Sequence, residues 1–304
     1  MSIPEESSQI RSLFKKYDIV LFYLIAFSIT WIGWLVMDRV ILIHGTEKNF
    51  VQLVIEGHLY MILYPFLAIG ALWGPLISAF VVYRVNYGKA GSRALLKKVF
   101  NWRVAVPWYL AALIFPIAIK YGAFWVNALF LGGEFVTDFE RVSALVILLK
   151  FFEELVPTGG QEEVGWTGFA QLQLQQRMPV FHATVVKASL GWVWHLPLYL
   201  VFPWNGAYGA DIWLLLLRYF GVAFVLTWLF NNTDSVLIPA LFHASFNTFG
   251  ANVSLSFTSP ENVILTLFLI GVFTFIVVGL AFARYGKNLT KQDLPILEAE
   301  MTID

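Results

Sequence analysis

Long apolar runs constrain this chain more than any other feature of its sequence. A helix that crosses a bilayer needs about 20 mostly apolar residues. Eight stretches meet or approach that length: 19–37, 59–83, 107–130, 143–157, 182–202, 212–230, 236–250 and 261–283. The fourth and seventh are short or polar. Charged residues make up 13% of the 304, against about 25% in soluble domains, and the segments between runs are too short for a separate soluble domain. The expected fold class is therefore all-α: a polytopic integral membrane protein with about eight transmembrane helices. Residues 19–283 form one transmembrane domain, preceded by a segment at 1–18 and followed by a tail at 284–304.

The first run follows Arg11, Lys15 and Lys16, as a signal sequence would. It exceeds the length of a signal-peptide core and has no small-residue cleavage site after Met37, so it reads as a retained span. With the N-terminus cytoplasmic, thirteen Lys and Arg fall on inner segments and three (Arg39, Lys48 and Arg141) on outer ones. This bias predicts both termini inside; the cell (plasma) membrane is the expected location. Residues 89–103 mix basic and apolar side chains as an amphipathic helix on the membrane surface does. Lys+Arg and Asp+Glu balance at 20 each, so charge points to no nucleic-acid partner. The chain has no cysteine, which excludes disulfides, thiolate metal sites and a cysteine nucleophile.

Ionisable groups inside a bilayer cost a few kcal/mol each and need a reason. Glu162 and Glu163 adjoin an apolar run. Neighbours on a helix point about 100° apart, so one can face a cavity while the other takes a structural partner. His195 lies deep in a tryptophan-rich span, just before Pro197. His243 and Asn247, four apart, share one helix face. Glu153 and Glu154 read as solvated acids, Lys120 and Arg218 as structural pairs, and His44, His58 and His182 as span-end residues without a role. The segments bearing Glu162/Glu163, His195 and His243/Asn247 are separated by whole spans, yet one shared polar cavity would satisfy all of them. In such a cavity Glu162 and His195 could activate a water, and His243 and Asn247 could donate to an oxyanion. Glu162, His195 and His243 could alternatively hold a divalent metal such as zinc. Both versions are hydrolysis within the membrane.

At these residues the chain resembles the CPBP family of intramembrane proteases, which includes the type II CAAX prenyl proteases and bacteriocin-processing enzymes. The resemblance covers roughly residues 145–255. It rests on Glu162-Glu163, on His195 after the aromatic stretch 190–194, and on His243 with Asn247, in that order; Gly74-Pro75 adds an early feature. It implies an intramembrane catalytic cavity, Glu162 and His195 as water activators, and His243 and Asn247 as oxyanion donors. The implied substrate is a small peptide or the tail of a membrane- or lipid-anchored protein, and the family is often described as metalloproteases. One departure stands out. The family's arginine, five positions after the first glutamate, is Thr167 here, so Glu163 needs another partner; Lys120, Lys150, Lys187 and Arg218 are the candidates. Two competing readings follow from the same residues. One is a catalytically silent scaffold or immunity-type partner, favoured by Thr167. The other is a proton-coupled transporter, disfavoured by the absence of repeat symmetry between the two halves.

Overall fold

A computed structural model describes residues 14–44, 72–131, 143–202, 212–251 and 260–297. Among these residues the regular structure is entirely helical: α1 (Asp18–His44), α2 (Gly74–Val99), α3 (Val106–Leu131), α4 (Ala144–Leu155), α5 (Gly159–Gly165), a π-helical turn (Trp166–Gln171), α6 (Leu172–Gln175), α7 (Val180–Leu200), α8 (Ile212–Thr233), α9 (Leu237–Ala251) and α10 (Pro260–Tyr285). Helices satisfy their own backbone groups, which is what an apolar solvent demands of a spanning segment.

The protein is an integral membrane protein, and the described residues do not confirm the expected count of eight spans. Four helices among the described residues are long and apolar enough to cross a bilayer: Asp18–Arg39, Val106–Phe130, Ile212–Thr233 and Ile264–Tyr285. The run at 143–157 yields α4, whose 12 residues extend about 18 Å at 1.5 Å per residue, well short of the ~30 Å hydrocarbon core. The run at 236–250 yields the 15-residue α9. Most of the second run, along with His58, Lys48 and Arg141, lies outside the described residues.

Two apolar cores hold the bundle. Phe22 and Trp34 of α1, Tyr83 of α2, Trp166 and Phe169 of the π turn and Trp194 of α7 make the first. Ile119 of α3, Phe224 and Leu229 of α8, Phe242 of α9 and Ile270 of α10 belong to the second. Small residues allow the close helix approaches that association in lipid depends on. A Cβ on Gly165 would sit 2.5 Å from the backbone and ring of Pro75, so the Gly-Pro start of α2 seats directly against the end of α5.

Residues 89–103 behave partly as the pattern predicts. Gly88, at φ 61°, breaks α2, and the following turns bury Leu95 while exposing Leu96, Phe100 and Trp102. Lys98 turns inward and pairs with Asp234 in the α8–α9 connection. The Val236 amide donates to the Lys98 carbonyl at 3.0 Å, tying this surface helix to the start of α9.

Candidate active site

Between the two cores lies a cavity of about 170 Å³. Its walls come from α5 and the π turn on one side and from α7, α8 and α9 on the others. Glu162, Glu163, His195, His243 and Asn247 all line it. The sequence separates these groups by whole helices, and the fold brings them to one hollow with room for several waters.

The two glutamates diverge as neighbours on a helix must. Glu163 accepts from His243 Nδ1 at 2.8 Å through one oxygen and from the Thr167 hydroxyl through the other. With Nδ1 committed, the other edge of the His243 ring lies near Gly159, where a Cβ would stand 2.9 Å from Nε2. Glu162 accepts from Trp166 Nε1 at 3.1 Å, a single hydrogen bond that leaves carboxylate oxygen lone pairs facing the hollow. Both bonds on the α5–π segment, 162 to 166 and 163 to 167, run between residues four apart. π turns inside α-helices are frequent at functional sites.

His195 is gripped by its own helix and by α8. Its Nδ1 lies 2.9 Å from the Gly191 carbonyl, and the Tyr219 hydroxyl reaches Nδ1 at 2.6 Å and Nε2 at 3.0 Å. Asn247 donates to Glu154 Oε2 at 3.0 Å, and Glu154 also accepts from Thr158 at 2.8 Å. The reading of Glu153 and Glu154 as one solvated pair is therefore half right. Glu153 pairs with Lys150 on the surface at 2.6 Å, whereas Glu154 reaches the site.

The basic residues sort in the same way. Lys150 is taken by Glu153, and Arg177 pairs with Asp18 at 2.8 Å. Lys120 donates to the Phe246 carbonyl. Lys187 donates to Thr227 at 3.1 Å and to the Ala223 carbonyl at 3.3 Å, and it acts electrostatically on Glu163. So Thr167, His243 and the Lys187 charge together serve Glu163 where the family pattern has an arginine. Tyr199, Arg218 and Tyr219, which the sequence reading left out of the site, also line the cavity. His182 packs its ring edge-on against Phe181, away from these groups.

Among the described residues no three His, Asp or Glu side chains come together in a cluster able to hold a metal ion. The partners explain this, because Glu163 and Gly191 occupy the Nδ1 positions of His243 and His195. Glu162, His195 and His243 face a common space without converging on one point.

Residues 142–249 match the family model described as type II CAAX prenyl endopeptidase, Rce1-like. That span contains every one of the five predicted site residues. Over that span the chain is similar to the CAAX protease family. It is also 25% identical over 254 residues to "CAAX prenyl protease 2" of Methanococcus maripaludis, covering 76% of this chain and 83% of that protein. Both similarities support an intramembrane endopeptidase in general.

Proposed function

We propose that this protein hydrolyses a peptide bond near the end of a small peptide or membrane-anchored protein tail, a prenylated tail included, with water activated by Glu162 and His195. One observation carries the reading: carboxylates, imidazoles and a carboxamide from three separate segments meet in a single cavity of an otherwise apolar bundle. Glu162, held by one hydrogen bond, takes a proton from the attacking water. The oxygen adds to the scissile carbonyl carbon, and the resulting oxyanion receives donors from His243 Nε2–H and the Asn247 amide. His195 helps orient the water, and the proton that Glu162 took passes through the His195 imidazole to the leaving amine as the C–N bond breaks, returning both groups to their starting state. Glu163 and Glu154 touch no reacting atom in this scheme. They hold His243 and Asn247 in place and are positioning residues.

No step is routed through a metal, since the donors present do not form a ligand cluster. The partners of Glu163 also weigh against a silent scaffold, because the missing arginine leaves no unmatched carboxylate. The thirteen-to-three distribution of Lys and Arg supports both termini being cytoplasmic, and the plasma membrane is the compartment we propose. The test is cleavage of a tethered prenylated peptide library by purified protein in liposomes, with and without chelator, beside Glu162→Gln. Cleavage that survives chelation and disappears in the variant is the expected result. A Glu162→Gln protein as active as wild type would end this mechanism, and loss of activity on chelation would restore a metal.

A further inference from the structure

A second hollow, of about 340 Å³, lies where the end of α2 and the segment leading into α3 meet the α8–α9 connection. The mechanism above uses none of its residues. Lys97, Lys98 and Arg103 line it against one carboxylate, Asp234, an excess of two positive charges. Asp234 is already matched by Lys98. Arg103 is exposed, and its guanidinium lies 5.7 Å from the Trp102 ring centre. Among the described residues no carboxylate pairs with it. The wall is held by hydrogen bonds. The Lys98, Asn101 and Trp102 carbonyls accept from the Val236 amide at 3.0 Å, the Ser235 hydroxyl at 2.7 Å and the Tyr109 hydroxyl at 2.7 Å. These bonds satisfy carbonyl groups whose partial negative charge would otherwise oppose an anion at a helix C-terminus.

Two spans set the depth of this hollow in the membrane. The Val106–Phe130 span begins just after Arg103, and the Ile212–Thr233 span ends immediately before Asp234. The hollow therefore sits at the boundary between acyl chains and water. Leu96, Phe100, Trp102 and Val106 are exposed around it, and tryptophan favours the headgroup level of a bilayer. Cations beside an apolar rim complement a molecule that carries a negative group on top of hydrocarbon. A small soluble anion would use the cations and leave the rim idle. With both termini cytoplasmic, as proposed above, this boundary belongs to the inner leaflet, whose anionic lipids attract basic segments.

We infer that this hollow binds the headgroup of an anionic phospholipid, with Arg103 and Lys97 on the phosphodiester and Phe100 and Trp102 against the upper acyl chains. The guanidinium fork matches two phosphate oxygens, and the lysine adds a point charge. The volume is that of a small-molecule site. The corner between α2 and α3 is then tied to one class of lipid, whatever reaction the central cavity performs.

The experiment measures binding of a fluorescent phosphatidylglycerol to the full-length protein in neutral detergent. The probe is displaced at constant ionic strength by dihexanoyl-phosphatidylglycerol, dihexanoyl-phosphatidylcholine or inorganic phosphate. We expect the phosphatidylglycerol to displace it at concentrations about 10-fold or more below the other two. Lys97→Gln combined with Arg103→Gln should weaken probe binding about 25-fold, since each basic residue at a membrane surface contributes about fivefold. Lys89→Gln combined with Arg93→Gln, in the same basic segment but outside the hollow, should weaken it less than about threefold, because screened attraction at a distance is small. All four side chains are exposed, so both double variants should melt with the wild type, and the wild-type displacement series decides the matter even if one does not. Equal displacement by the phosphatidylglycerol and the phosphatidylcholine overturns the inference. So does an equal loss in the two double variants, which would show diffuse attraction without a site. Inorganic phosphate as potent as the phosphatidylglycerol would mean that the hollow takes a free anion, and the lipid assignment would be wrong.

Discussion

Gly159 offers the sharpest test of how the site is held. A Cβ built there would lie 2.6 Å from Asn247 Nδ2, 2.8 Å from His243 Cδ2 and 2.9 Å from His243 Nε2. Ordinary contact distances are about 3.5 Å, so Gly159→Ala must displace the two proposed oxyanion donors by about 0.6–0.9 Å. Neither can swing away freely, because Glu163 holds the ring at 2.8 Å and Glu154 holds the amide at 3.0 Å. Misplacing catalytic groups by about 1 Å can cost about 10²-fold in rate, while overpacking of this kind destabilises by about 1–3 kcal/mol. We expect kcat to fall about 30–100-fold with KM little changed, and the variant to remain folded in detergent. Gly279→Ala is the control, since a Cβ at Gly279 meets nothing within 4 Å; it should leave activity intact and raise stability by a few tenths to about 1 kcal/mol. A folded Gly159→Ala protein cleaving at the wild-type rate would show that turnover does not depend on where His243 and Asn247 sit.

Further expectations concern the partners of the site. Asn247→Asp sets a second carboxylate against Glu154 and removes an oxyanion donor, so kcat should drop about 10²–10³-fold, measured at saturating peptide. Thr167→Val strips Glu163 of its hydroxyl donor in a fully buried position and should lower stability by about 1–3 kcal/mol, with Thr167→Ser close to wild type; equal melting of all three proteins would contradict the role given to Thr167. Asp234→Asn keeps a residue that tolerates the local φ of 48° but removes the partner of Lys98. Because Asp234 is about half exposed, the loss should stay near 1 kcal/mol, read as a small downward shift in thermal unfolding.

The convergence of Glu162, Glu163, His195, His243 and Asn247 was legible because each is costly in an apolar run and one shared polar cavity accommodates all of them. Glu154 was not legible. Beside Glu153 it looks like half of a surface pair, and only the approach of α4 to α9 reveals its bond to Asn247. Tyr199 and Tyr219 escaped for a different reason: tyrosine is at ease in membrane helices, so its presence there signals nothing about facing a cavity. Arg218 looked like a structural cation because sequence cannot tell whether an acid lies within reach. The π turn at Trp166–Gln171 left no mark in the apolar pattern. The run at 143–157 yields only the short α4, because helical geometry stops at Leu155, ahead of Pro157 and the Gly159-Gly160 pair.

Helix α4 deserves a mechanical reading as well. It has no buried residue, and its Leu145, Leu148, Leu149 and Phe152 are open to the surroundings, yet its Glu154 anchors Asn247. One of the groups proposed to stabilise the transition state is thus tethered to a short rod with an exposed apolar face. Whatever shifts that rod also shifts the Asn247 amide, so the position of an oxyanion donor depends on a helix outside both apolar cores.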